Sequence, residues 1–372
     1  MAVTEIFTTL ELPDTNETDY IYNDTGYIYD IGTDYLCDDE VKGLQTFYVV
    51  IQPMLYCLIF LLGVIGNGLM ITVLLGRWRH LRITEVYLLH LALTDLMLLF
   101  TLPFSVVESV AGWLFGGFLC KMVGVLKNLN LLCGSFLLAC IGFDRYLAIV
   151  RAIPSLQSRR LETVHLACFI LWLFCLAFTI PHAVFLSVKA DPRNSSRLSC
   201  LYYEFGIHAH NWVLTSRVLD HVCFFLPLAA MSYCYTAVVV TLFKSQRSKA
   251  KQGAIRLALL ITLVFCFCWL PYNITLLVKT LVDMQVFSYS SCALFVSLQP
   301  VLDVTQSLGF SHCCLNPFLY AFVGVRFRNE LLKLLSKMGC GRVCQPFIRG
   351  QGYSRPSVSE GTTSISTTHA TI

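Results

Sequence analysis

Apolar residues run along this chain in seven long blocks, at residues 47–75, 85–108, 118–150, 163–187, 213–243, 255–281 and 294–323. Each can carry an α-helix across a hydrocarbon layer of about 30 Å, which takes roughly 20 residues. Inside that layer the backbone must bond to itself, and blocks this long exclude barrel strands. The pattern predicts an all-α membrane protein, a bundle of seven transmembrane helices. Past the last block, Arg326 to Leu335 sets apolar residues at helical spacing with bases between, so a short amphipathic helix on the inner membrane surface is expected. The predicted organisation is a tail at 1–46, the bundle at 47–323, the surface helix at 324–340 and a Ser/Thr-rich tail at 341–372.

A few polar residues interrupt the blocks: Asn67 in the first, Asp95 in the second, Asn130 in the third and Asn316 in the seventh. An acid in the bilayer is expensive and normally faces the bundle interior with a partner. Asp95 with Asn130 is therefore read as a structural sodium site or a rearranging water network, against the plainer reading of polar glue between helices. Pro103, Pro181, Pro227, Pro271 and Pro317 free backbone carbonyls and supply hinges, and Trp269 stands two residues before Pro271. In the third block Cys120 and the pair Asp144 and Arg145 fall about 37 Å apart on a helix, one near each membrane face.

Charge orients the bundle. Only 13% of the 372 residues are charged and 56% are hydrophobic, about half the charge of a soluble domain. The connections at 76–84, 151–162, 244–256 and 324–372 hold most of the bases, which places them in the cytoplasm. Seven spans then put the amino terminus outside, at the plasma membrane. Residues 1–46 carry eleven acids and one base, Lys42. No basic, apolar and small-residue leader pattern opens the chain, so the first span is expected to act as its own insertion signal.

Most of the 17 cysteines lie within apolar blocks as small fillers. Cys37, Cys120, Cys200 and Cys292 fall on the outer side, where two bridges would form in any of three pairings. Asn16, Asn23 and Asn194 open glycan acceptor triplets there; Asn273 matches the pattern but lies in a span. Cys340 and Cys344 follow the surface helix as palmitoylation candidates, and the tail serines and threonines as phosphorylation candidates.

Asp144-Arg145-Tyr146, Cys268-Trp269-Leu270-Pro271 and Asn316-Pro317-Phe318-Leu319-Tyr320 occur in order across the third, sixth and seventh blocks. They resemble the rhodopsin-like (class A) G-protein-coupled receptors. Thr101-Leu102-Pro103, the run Asp144 to Val150, His312-Cys313-Cys314-Leu315-Asn316-Pro317 and the extra outer pair Cys37 and Cys292 narrow the resemblance to chemokine receptors. The seventh-block run from His312 to Arg328, with Gly134, is most similar to the CXC subfamily, nearest its type three receptors.

The resemblance implies bridges Cys120–Cys200 and Cys37–Cys292. It implies a CXC chemokine as ligand, an inhibitory-type heterotrimeric G protein as partner, and arrestin recruited by the phosphorylated tail. Tyr20, Tyr22, Tyr27 and Tyr29, set among acids and suited to sulfation, would meet the basic ligand first. Glu108, Lys127, Asp283, Asp303 and Gln306 would line the cup its amino terminus enters. Asp95, Asn130, Asp144, Arg145, Tyr146, Tyr235, Trp269, Pro271, Asn316, Pro317 and Tyr320 would form the activation switch, worked by outward movement of the sixth span. The chain departs from the family at Ser105, often tryptophan, and at Gln306 and His182, often acids. Residues 244–256 hold five bases and no acid, so Arg145 lacks an acidic partner at the start of the sixth span and some basal signalling is expected.

Other classes fit less well. Transporters are built from paired halves around broken helices, and seven spans do not halve. A chemokine scavenger of the same fold would carry a damaged Asp-Arg-Tyr, which is intact here. No nucleophile, metal or phosphate motif points to an enzyme, and nothing points to nucleic acid.

Overall fold

The computed structural model describes residues 20–22, 28–30, 46–151, 161–191, 194–202, 207–244, 249–286, 292–323 and 325–336. Asn16, Asn23, Tyr27, Cys37, Cys340, Cys344 and the tail at 341–372 lie outside the described residues, as does the pairing of Cys37 with Cys292. The first span opens with a π-helical turn at Phe47–Ile51 and continues as Gln52–Leu75. The second is split into Ile83–Leu99 and Leu102–Ala111. The remaining spans are Gly116–Ile149, Leu161–Phe185, Ile207–Lys244, Lys249–Asp283 and Cys292–Val323, followed by the surface helix Val325–Leu335.

Six of these helices are long and apolar enough to cross a membrane on composition. The seventh span has the length but is diluted by Asp303, Gln306, Ser307, His312 and Asn316, of which Ser307, His312 and Asn316 are buried in the bundle. The break in the second span follows from Thr101-Leu102-Pro103. Proline has no N–H to bond and fits best in a first turn, which is where Pro103 lies in the new helix. Thr101 fills the gap, donating both its N–H and its hydroxyl to the Leu98 carbonyl at 2.8 and 2.6 Å. Pro181, Pro227, Pro271 and Pro317 sit inside helices as expected, joined by Pro300.

The core runs down the bundle axis through Leu91, Leu98, Leu132, Phe224, Phe265, Trp269 and Phe310, all fully buried. Leu61, Ile65, Phe169, Ile170 and Phe267 are exposed on the outer faces, as lipid-facing residues must be. Gly309 permits the sixth and seventh spans to close, because a Cβ there would lie 2.7 Å from the Trp269 ring.

Two antiparallel hairpins were not anticipated from the pattern. Strands β1 (Tyr20–Tyr22) and β2 (Ile28–Asp30) pair Tyr20 with Asp30 and Ile21 with Tyr29. Strands β3 (Leu186–Asp191) and β4 (Asn194–Tyr202) pair Val188 with Cys200 between the fourth and fifth spans. Both alternate weakly, and the three-residue strands of the first give almost no periodic signal.

Candidate functional site

At one end of the bundle, β4 is fastened at three points. Cys200 is disulfide-bonded to Cys120 of the third span, as the resemblance implied. The Cys200 N–H donates to the Glu108 carboxylate of the second span at 3.0 Å. The Leu198 carbonyl accepts the Trp113 N–H at 2.6 Å. Gly112, at φ +82°, makes this last approach, since a Cβ there would meet the Leu198 oxygen at 2.9 Å. Trp113, Cys120, Val123 and Leu186 seal the join as a small apolar cluster.

The residues expected to line the cup separate into two groups. Glu108 is tied to β4, and Asp303 accepts from the Tyr48 hydroxyl at 2.8 Å and the Gln299 amide at 3.0 Å. Gln306 faces the Tyr272 hydroxyl at 3.5 Å. Lys127 stands over the Phe310 ring, 5.6 Å from its centre. Asp283 belongs elsewhere: at the tops of the fifth and sixth spans it pairs with Arg217 at 2.5 Å and with Lys279 at 3.9 Å. Gln52, Tyr56 and Ser307 form a further buried polar knot joining the first and seventh spans, with bonds of 3.0–3.4 Å.

A network that the sequence reading passed over centres on Asp220 of the fifth span. Its carboxylate accepts the Asn128 amide at 3.2 Å and faces His182 Nε2 at 3.2 Å. His182 Nδ1 in turn meets the Tyr202 hydroxyl of β4. Burial, with the Asp220 charge nearby, pushes the Tyr202 phenol well above its ordinary range, so it stays protonated and donates to Nδ1. Nε2 is then free to donate to Asp220. Three spans and the hairpin are held together through one carboxylate. An acid within an apolar block was the available signal, the same one that singled out Asp95.

Midway down the bundle, both Asp95 oxygens are engaged. Asn130 donates to Oδ1 at 3.0 Å and Asn316 to Oδ2 at 2.8 Å. Asn316 also meets His312 Nε2 at 3.1 Å, and Asn67 ties the first span to the Cys313 carbonyl at 2.9 Å. The Asp95, His312 and Cys313 donor atoms lie within 4.8 Å of one another. Sodium, a hard cation, takes oxygen ligands. Here Asn130 and Asn316 turn amide N–H groups to Asp95, a ring nitrogen and a thiol stand beside it, and the Asn67 and Asn316 amide oxygens are buried without hydrogen-bond partners among the described residues. Asp95, Asn130 and Asn316 do come together, as a direct hydrogen-bonded lock across the second, third and seventh spans.

At the opposite end from the bridge, Arg145 pairs with Asp144 at 2.7 Å and donates to Thr84 of the second span. Thr84 has no charge and was not singled out from the sequence. An apolar cleft lined by Thr84, Leu88, Leu138, Ile141, Leu257, Ala258 and Ile261 lies between the second, third and sixth spans. Tyr235 is buried against Gly142 and accepts from the Thr262 hydroxyl at 3.2 Å, which ties the fifth span to the sixth. Tyr146 stacks with Phe143 and packs at a tilt against Tyr233, at ring separations of 6.4 and 5.8 Å. The buried Tyr320 hydroxyl has no hydrogen-bond partner among the described residues, and its ring packs on Phe327 of the surface helix. Among the described residues neither the Tyr235 nor the Tyr320 hydroxyl is hydrogen-bonded to Arg145. Higher up, the Trp269 ring lies 5.9 Å from the Phe310 ring, centre to centre, beside Pro271, and its buried indole N–H has no hydrogen-bond partner among the described residues.

Comparison with known proteins places this geometry among relatives. Residues 66–320 match the 7 transmembrane receptor (rhodopsin family). The chain is 42% identical to the C-X-C chemokine receptor type 5 of Homo sapiens over 354 residues, covering 93% of this chain and 92% of that one. It is 41% identical to the human C-X-C chemokine receptor type 3 over 290 residues, 77% of each. With the C-X-C chemokine receptor type 1 of Pan troglodytes it shares 40% identity over 304 residues, 82% of this chain and 84% of that one. The CXC subfamily resemblance is borne out, and the type five and type three receptors match at comparable identity.

Proposed function

Because the chain belongs to the rhodopsin family of seven-transmembrane receptors, we propose that it binds CXC chemokines and passes the signal to an inhibitory-type heterotrimeric G protein. Membership makes it a receptor rather than an enzyme. The observation that carries the reading is the intact Arg145 switch in a chain about 40% identical to CXC chemokine receptors. Binding of labelled CXC chemokines to membranes from cells expressing the chain tests it. Saturable binding by at least one is expected, and none would overturn the reading.

The bridge end faces outward at the plasma membrane. Chemokines are basic, and the eleven acids of residues 1–46 steer them in. Sulfation of Tyr20, Tyr22, Tyr27 and Tyr29 would add to that charge, and glycans on Asn16, Asn23 and Asn194 would decorate the same face. Deleting residues 1–35 should slow association and weaken binding at least tenfold, with the remaining affinity less sensitive to salt. Exposed charges are screened beyond about 10 Å at 0.1 M, so stopped-flow association across a salt series reads this directly. Unchanged rates would make the tail a bystander.

The ligand's amino terminus enters beneath β4, among Glu108, Lys127, Asp303 and Gln306, with Asp283 at the rim. Pressure reaches Trp269 through Phe310, and the sixth span turns outward about Pro271. Arg145 then leaves Asp144 and Thr84, and Tyr235 and Tyr320 close around it as the G protein docks. The inner face recruits arrestin once the tail is phosphorylated, and the chemotactic response follows from these partners. Breaking the bond between Thr262 and Tyr235 should loosen the sixth span. Thr262→Val is expected to raise ligand-free signalling two- to tenfold, since one net hydrogen bond is worth about 0.5–1.5 kcal/mol. Basal cAMP inhibition at matched surface expression checks it, and an unchanged baseline would remove that bond from the switch.

A further inference from the structure

Lys127 is a cation in the cup that no carboxylate touches directly among the described residues. It is partly buried in the third span, and among the described residues no hydrogen bond or ion pair reaches its ammonium. Glu108 and Asp303 act on it only through space, being hydrogen-bonded elsewhere: Glu108 to the Cys200 N–H, and Asp303 to Tyr48 and Gln299. Two other cations at this end, Arg217 and Lys279, are both paired with Asp283. What Lys127 has is the face of Phe310 at 5.6 Å, a contact weaker than an ion pair once water is excluded. A charge without a direct partner inside a membrane bundle is costly, and such residues mark candidate functional sites.

We infer that Lys127 is an anion subsite, so that the ligand recognised in this cup carries a carboxylate that docks on its ammonium. The inference rests on the receptor reading of the same cup and names the chemistry it selects. The site also has a defined relation to the switch. The Phe310 ring beneath Lys127 stands 5.9 Å from Trp269 and 5.8 Å from Tyr56, so the ammonium is one ring away from the tryptophan beside the Pro271 hinge. Gly309 lets Trp269 press directly on the seventh span at that level. A carboxylate that draws the ammonium off Phe310 removes one contact from that ring. The carboxylate has two available sources: an Asp or Glu in the inserted amino-terminal segment of a chemokine, or a free small organic acid.

The test uses full-length receptor at measured surface density, with Lys127→Gln, Lys127→Arg and Lys127→Glu. Each chemokine that activates the unsubstituted receptor is applied as such, and with every acid of its first ten or so residues changed singly to the amide. Succinate and benzoate serve as free-acid probes. Lys127→Gln should lower the potency of the unmodified ligand about tenfold or more, Lys127→Arg should retain it, and one ligand amide should be harmless on Lys127→Gln while costing as much on the unsubstituted receptor. Exchanging that ligand acid for lysine should restore activity on Lys127→Glu. Activation by succinate or benzoate that is lost in Lys127→Gln would instead assign the site to a small acid. Equal potency on Lys127→Gln, or additive losses in every ligand–receptor pair, would overturn the anion subsite and leave the receptor reading standing. If no chemokine binds the unsubstituted receptor, that reading falls, and the subsite falls with it unless the free acids act through Lys127.

Discussion

Arg145→Ala is expected to reduce G-protein activation to background while leaving chemokine binding to the uncoupled receptor nearly intact. The guanidinium is always charged and offers a planar fork of donors. One arm of that fork holds Asp144 at 2.7 Å and also reaches Thr84, which latches the third span to the second. On activation the same fork becomes the surface on which the G protein docks. Ligand contacts lie roughly 30 Å away at the other end of the helix, so alanine there leaves the cup unchanged. Coupling between two sites is reciprocal, so the high-affinity component that depends on bound G protein, typically about 5–150-fold tighter, will be lost. Radioligand binding with and without a non-hydrolysable guanine nucleotide separates the two populations. A surface-expressed Arg145→Ala receptor that still activates G protein fully would show that Arg145 is not the switch.

The second large effect is expected at the opposite end. Cys200→Ala opens a bridge spanning 80 residues of chain, which contributes about 2–4 kcal/mol to a folded domain. More than stability is at stake, because the bridge fixes β4 over the cup. Without it the hairpin keeps only the Glu108 carboxylate and the Trp113 amide as anchors, each worth about 0.5–3 kcal/mol. Chemokine binding should fall more than tenfold, and the detergent-solubilised receptor should melt several degrees lower. Glu108→Gln, which keeps an acceptor for the Cys200 N–H, should be much milder on stability. Cys200→Ala with unchanged affinity and melting temperature would mean the hairpin is held by the other anchors alone.

How much of this was legible in the sequence depends on whether a residue acts through type or through neighbours. The seven helices were, because lipid imposes length and apolarity on every span, and the bounds found for Phe47–Leu75 and Gly116–Ile149 lie close to the apolar blocks. Asp95, Asn130 and Asn316 were legible as polar residues in lipid, and they do converge on one carboxylate. Their donor geometry was not, since an asparagine in a sequence does not declare which end of its amide faces the acid. Asp220 carried the same signal as Asp95, but its partners His182, Asn128 and Tyr202 come from three other elements, and no spacing relates them. Thr84 was invisible for a different reason: a threonine hydroxyl near a helix start ordinarily serves its own backbone. Asp283 read as a rim acid open to ligand because Arg217, its partner, lies 66 residues away in the chain. The β3–β4 hairpin was hidden by its short irregular strands, and its position by a cysteine pairing that only the resemblance could choose.

The most direct test is cAMP inhibition in cells expressing the chain, challenged with a panel of purified CXC chemokines, alongside the Arg145→Ala receptor at equal surface density. At least one chemokine is predicted to lower cAMP in a pertussis-toxin-sensitive manner, and the same chemokine should bind Arg145→Ala without lowering it. A chemokine that binds and is internalised by the unsubstituted receptor with no G-protein response would contradict the account and identify a scavenger built on the same fold.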